Sequence, residues 1–233
     1  QRRQVYQKRT RYAIMSEFLW VEKYRPKNIE HCILPKELKD TFTSFVKAGE
    51  VPNLLLCGTA GIGKTTVAKA LCNELGVDSI VINGSDEGRF LDTVRNNAKQ
   101  FASTVSLTSQ SKHKVIIIDE ADNTTHDVQL LLRASIEEFQ NNCRFIFTCN
   151  CKNKIIQPLH SRTTVIDCNT RGKQKQEIAG QFFERCRGIL TAENIQFTDA
   201  VVAEVVQKFF PDFRRTLNAV SYTHLRAHET SQH

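Results

Sequence analysis

Short apolar runs recur along the chain at 53–57, Ser79–Asn83, 115–119, 144–149 and Thr164–Asp167. Most lack polar/apolar alternation, which predicts strands covered on both faces of a parallel sheet. Helical spacing predicts helices over Lys64–Leu75, around 90–102 and over 128–139, with a short turn near 155–160. Strands alternating with helices imply βαβ units and a doubly wound sheet. After Asn169 the pattern changes. Stretches 173–190 and 199–210 keep helical spacing with no strand between; Pro211 stops the second, and Asp212 can cap a third that begins Phe213-Arg214-Arg215. The expected fold is an α/β domain over 15–169, with a five-stranded parallel sheet flanked by helices, then a small all-helical domain over 170–220.

Gly58-Thr59-Ala60-Gly61-Ile62-Gly63-Lys64-Thr65 fits G-x-x-x-x-G-K-[ST], between an apolar strand and a helix. Glycines there let backbone N–H groups converge on phosphates, and the helix N-terminus adds partial positive charge. The loop is expected to hold the phosphates of ATP. Lys64 would reach the β- and γ-phosphates, and the Thr65 hydroxyl would face Mg²⁺. The run Val115-Ile116-Ile117-Ile118 delivers Asp119 and Glu120 to the carboxyl end of a strand, where open α/β sheets bind ligands. Asp119 is expected to hold Mg²⁺ through its water shell and Glu120 to polarise the attacking water. Asn150 ends another apolar strand, where an amide can orient that water or sense the γ-phosphate.

Charge adds little to this picture. The net charge is +7. Residues 1–14 hold Arg2, Arg3, Lys8, Arg9 and Arg11 with no acid, while residues 15–220 carry 26 basic and 24 acidic groups. Met15 is the only methionine, and residues 221–233 continue no earlier pattern, so both ends are read as non-native sequence. No apolar run nears the roughly 20 residues of a membrane span, and the N-terminus lacks a secretory pattern; a cytoplasmic protein without a membrane partner is expected. The eight cysteines form no C-x-x-C pair, which predicts reduced, structural thiols rather than zinc ligands or disulfides.

In order, Glu22-Lys23-Tyr24-Arg25-Pro26, the phosphate loop, Asp119-Glu120-Ala121-Asp122, Thr148-Cys149-Asn150, Ser161-Arg162 and Phe213-Arg214-Arg215 resemble the AAA+ ATPases, specifically the sliding-clamp loaders. The chain is similar to the ATPase subunits of T4-like bacteriophage clamp loaders and to the small subunits of replication factor C over about 18–220. The resemblance implies an adenine pocket lined by Val21, Glu22, Lys23, Tyr24 and Ile33, with the phosphates held by Gly61, Ile62, Gly63, Lys64, Thr65 and Thr66. It implies Arg214 as a sensor of the γ-phosphate from the helical lid, and Arg162 as an arginine finger acting in trans on a neighbouring subunit. It implies partners as well: other loader subunits in a ring with a distinct subunit, a sliding clamp and primer–template DNA, in a bacterial host cytoplasm. Arg89 and then Arg95 are the DNA-contact candidates. The chain departs from the family's Ser-Arg-Cys at Thr163, and the odd tail stands where the family continues into a helical collar. Two other readings remain at this level: another AAA+ DNA-processing ATPase, such as a branch-migration helicase or helicase loader, and a scaffold that binds ATP without hydrolysing it.

Overall fold

The computed structural model describes residues 20–85, 99–103 and 113–230, and the side chains of all of these except 102, 103 and 222–230. Arg89 and Arg95, and most of the stretch expected to be helical around 90–102, lie outside the described residues. The chain divides into two compact units, Pro26–Thr170 and a second that takes in the described residues on either side of it.

The first unit begins with α2 (Lys36–Ala48), after α1 (Trp20–Lys23) of the other unit. Helix α2 is absent from the sequence reading. Its Leu38, Phe42, Phe45 and Val46 fall on one face, pack into the core, and are followed by the left-handed cap Gly49. Then come β1 (Leu54–Cys57), α3 (Lys64–Leu75), β2 (Ser79–Asn83), α4 (Lys99–Ser103), β3 (Lys114–Asp119), α5 (His126–Glu138), β4 (Cys143–Cys149), α6 (Gln157–His160) and β5 (Thr164–Asp167). The described strands form one parallel sheet in the order β2-β3-β4-β1-β5.

Alternate residues of each strand feed opposite faces, and both faces of the central strands β1, β3 and β4 are covered. Leu55, Ile116, Ile118, Phe145 and Phe147 pack with Val128, Leu132 and Ile136 of α5. Leu54, Leu56, Val115, Ile117 and Ile146 pack with Phe42 of α2 and Val67, Ala68 and Leu71 of α3. That double burial is why the strands read as unbroken apolar runs. Register then aligns the strand ends: Cys57 lies opposite Cys149 on one side and Asp167 on the other, and Asn83 lies opposite Asp119. The residues just beyond these ends therefore converge on one edge of the sheet.

The second unit holds α7 (Gln174–Ala192), α8 (Asp199–Phe209) and α9 (Phe213–Thr230) with α1. Ile178, Phe182, Cys186 and Ile189 form the buried stripe of α7, and Phe182 stacks on Phe213 with ring centroids 4.4 Å apart. The Asp212 carboxylate accepts from the Arg215 N–H at 2.9 Å, capping α9. Helix α1 is tied into this unit, although the expected α/β domain began at residue 15. Tyr24 donates its hydroxyl to Glu193, and Arg185 donates to the Tyr24 carbonyl at 2.8 Å. No described helix is long and apolar enough to cross a membrane.

Candidate functional site

The loop between β1 and α3 turns on Gly63, whose φ of 92° is open to glycine at little cost. A Cβ there would meet nothing within 4 Å, so backbone conformation rather than space selects the residue. No side chain caps α3, which leaves its N-terminal end facing the loop as an anion site.

Lys64, although charged, is buried. Its ammonium donates to the Gly58 carbonyl at 2.7 Å, the Thr59 carbonyl at 2.8 Å and the Asn150 amide oxygen at 2.9 Å. Three donors thus meet three acceptors. Burial holds the Lys64 pKa below the ordinary lysine value. The loop is also braced from β5, where Asn169 accepts from the Thr59 N–H at 2.9 Å.

The acidic half sits beside it. One oxygen of Asp119 accepts from the Thr65 hydroxyl and the Thr148 hydroxyl, each at 2.6 Å. Thr148 in turn accepts from the Glu120 N–H at 3.0 Å, so a single hydroxyl on β4 positions both acids of β3. Glu120 has left-handed backbone, φ 54°, which turns the chain out of the strand into a 3-10 turn over Ala121–Asn123. Its carboxylate is held by the Ser85 hydroxyl and by the Asn123 amide, the latter at 3.1 Å. Asp122 accepts from the N–H groups of Asn150 and Cys151 at 3.1 and 3.0 Å, which fixes the strand end that carries the Asn150 side chain. Gly84 closes the far side: its N–H donates to the Asp119 carbonyl at 2.7 Å, and a Cβ would lie 2.5 Å from the Glu120 carbonyl.

Lys64, Thr65, Asp119, Glu120 and Asn150 are therefore brought together. Thr148, Asp122, Ser85, Asn123 and Asn169 complete the cluster without having been assigned roles from the sequence. Asp122, Ser85, Asn123 and Asn169 lie just beyond strand carboxyl ends, a position legible in the sequence, whereas the role of Thr148 depends on which strand lies beside its own. Arg162 is placed apart from it. Its side chain donates to Glu137 at 2.6 and 2.9 Å and to the Pro158 carbonyl at 3.0 Å, and the guanidinium holds the Glu137 carboxyl below its usual range. Glu137, on α5, had no signal in the sequence. Arg214 is exposed on α9, and Val21, Glu22, Lys23 and Tyr24 belong with it to the helical unit, whereas Ile33 belongs to the α/β unit.

Comparison with known proteins follows this division. The ATPase family associated with various cellular activities (AAA) matches residues 54–169, and the AAA+ ATPase lid domain of the sliding-clamp-loader large subunit matches residues 174–224. The sliding-clamp-loader large subunit of Escherichia phage RB69 is 42% identical over 205 residues, covering 86% of this chain and 63% of that protein. The replication factor C small subunit of Methanoculleus marisnigri is 37% identical over 207 residues, covering 87% and 62%. The chain thus spans less than two thirds of the length of these curated relatives. The Holliday junction branch migration motor RuvB of Thermotoga maritima superposes with a TM-score of 0.64 at 20% identity, over 84% of this chain and 63% of that one, a likeness of fold. With the loop, the paired acids and both family matches in register, the chain belongs to the AAA family of ATPases and carries the lid domain of sliding-clamp-loader large subunits.

Proposed function

We propose that this chain is the ATP-hydrolysing part of a sliding-clamp loader, coupling ATP to the opening of a clamp at primer–template junctions. The observation that carries the nucleotide half is the meeting of the Thr65 hydroxyl with the Asp119 carboxylate at 2.6 Å, beside an ammonium held by the loop itself. Two hard oxygen donors side by side at the mouth of an anion site suit Mg²⁺, which keeps several waters and binds few protein groups. When bound, that ion would neutralise charge on the β- and γ-phosphates.

The chain's own residues supply the rest. Lys64 would exchange carbonyl partners for phosphate oxygens, keeping its hydrogen-bond count while gaining an opposite charge. Water attacks the γ-phosphorus, the bond to the bridging oxygen breaks, and Glu120 accepts the water's proton once it has left Ser85 and Asn123. Asn150 would report the γ-phosphate to β4. Arg214 and the adenine-pocket residues would couple the lid to the nucleotide. Arg162 would serve the neighbouring subunit, and Arg89 and Arg95 would contact DNA backbone. Ring partners, clamp and cytoplasmic location rest on the family relationship.

Phosphate release by a full-length subunit, assembled with its partners, tests the reading. Stimulation by clamp and primer–template DNA together is expected. Turnover that ignored both, or that drove translocation along duplex DNA, would move the chain to another class of AAA+ motor.

A further inference from the structure

The last residues of β1 and β4 are both cysteines, and strand register sets Cys57 directly opposite Cys149. Their sulfurs lie 3.3 Å apart, both side chains are buried, and both thiols are free. The Cys149 S–H donates to the Cys57 sulfur. That bond draws the Cys57 thiol below its ordinary pKa against the opposing effect of burial, while the same bond and burial push Cys149 up. The geometry thus sets one thiol as hydrogen-bond donor and the other as acceptor, with the two sulfurs already in contact.

The position of the pair matters as much as its chemistry. The chain passes from Cys57 straight into Gly58 and from Cys149 straight into Asn150, and the Gly58 N–H donates to the Cys149 carbonyl at 3.2 Å. Gly58 and Asn150 supply two of the three acceptors around Lys64.

We propose that Cys57 and Cys149 form a peroxide-oxidisable dithiol beneath the phosphate loop, and that joining them weakens nucleotide binding. The Cys57 thiolate attacks one peroxide oxygen, the O–O bond breaks, and Cys57 becomes a sulfenic acid while hydroxide leaves and takes up a proton. Cys149 then gives up its proton and attacks the sulfenyl sulfur; the S–S bond forms, the S–O bond breaks, and a second water departs. Two thiols lose two electrons and two protons, and hydrogen peroxide is reduced to two waters. The sulfurs must close from 3.3 Å to a bond of about 2.0 Å. In a tightly packed strand pair that movement is passed to the adjoining Gly58 and Asn150. The dithiol stands on its own geometry; its consequence rests on the nucleotide reading above.

The experiment uses the chain with Cys151→Ser, which removes the exposed cysteine. After hydrogen peroxide and alkylation, mass spectrometry should find the Cys57 and Cys149 peptides linked with loss of two hydrogens. Affinity for a fluorescent ATP analogue should fall about tenfold, the equivalent of one hydrogen bond to a charged group, and recover with dithiothreitol. Cys57→Ala and Cys149→Ala, or the serine variants should either fail to fold, should abolish both the link and the peroxide effect. Peroxide that leaves both thiols reduced, a link to Cys168 instead, or a linked protein that binds as tightly as the reduced one overturns the proposal. A reduced chain that does not bind the analogue sinks the nucleotide reading and the consequence with it, whereas absent linkage with binding intact sinks the dithiol alone.

Discussion

Thr65 and Asp119 stand 54 positions apart in the chain, yet the threonine hydroxyl donates to the carboxylate at 2.6 Å. That contact joins the first turn of α3 to the end of β3, and on the proposed reading its two oxygens would meet a divalent cation on a triphosphate. Thr65→Ala and Asp119→Asn should each erase the gain in nucleotide affinity that Mg²⁺ gives the parent. Titration of a fluorescent ATP analogue with Mg²⁺ and with chelator measures this. A variant that kept the full Mg²⁺ enhancement would argue for a metal held elsewhere.

The Glu120 carboxylate is tied to Ser85 and Asn123 rather than to Lys64 or Thr65, the groups proposed to meet the nucleotide. Glu120→Gln should therefore bind ATP as the parent does, while hydrolysis in the assembled complex falls by about 10²–10⁴, the usual worth of a positioned base. Equilibrium binding and single-turnover phosphate release separate the two effects. Equal losses in both would point to a binding role.

Gly84 leaves no room for a side chain, because a Cβ would sit 2.5 Å from the Glu120 carbonyl and 3.1 Å from that of Asp119. Gly84→Ala must push the ends of β2 and β3 apart. Urea unfolding should register a loss of about 1–3 kcal/mol, as for other overpacked sites, together with slower hydrolysis. An alanine variant as stable and active as the parent would show that this crowding has no consequence.

Burial holds Lys64 below the ordinary lysine pKa, and a bound polyanion favours its charged form. Nucleotide binding should therefore take up a proton between the free and bound pKa values, and affinity should fall as pH rises through the free one. Calorimetry in buffers of differing ionisation enthalpy reads this directly. Lys64→Arg, always charged, should lose the Lys64 contribution; uptake undiminished in that variant would assign the proton to another group.

The ion pair between Arg162 and Glu137 lies at the surface, where such pairs contribute little to stability. Glu137→Gln should leave the melting temperature unchanged. Arg162→Ala should leave ATP binding by the isolated chain intact and cut turnover in the assembled ring by about 10³–10⁵, the worth of an arginine supplied in trans. Full ring turnover in Arg162→Ala would remove the in-trans role.

Much of this was legible because periodicity and motif spacing are local. Runs such as Val115-Ile116-Ile117-Ile118 announce strands buried on both faces, and helical spacing alone bounds the helix Lys64–Leu75 as the structure has it. The α2 helix was missed although its apolar face packs into the core. The role of Thr148 was not readable at all, since it comes from lying beside Asp119 on the neighbouring strand.

What the sequence alone determined, then, was the set of chemical groups: a lysine after a glycine loop, a pair of acids ending an apolar strand, an asparagine ending another. Such groups are declared by residue type and by neighbours within a few positions. Which of them touch was decided by strand order and register, which place β3 beside β4 and β4 beside β1. That choice sets Thr148 against Asp119, aligns Asn150 with Lys64 and brings Cys57 to Cys149, while Arg162, just past α6, meets Glu137 of α5 from 25 positions away. Contacts between distant segments depend on how buried faces pack together, and no local pattern carries that information.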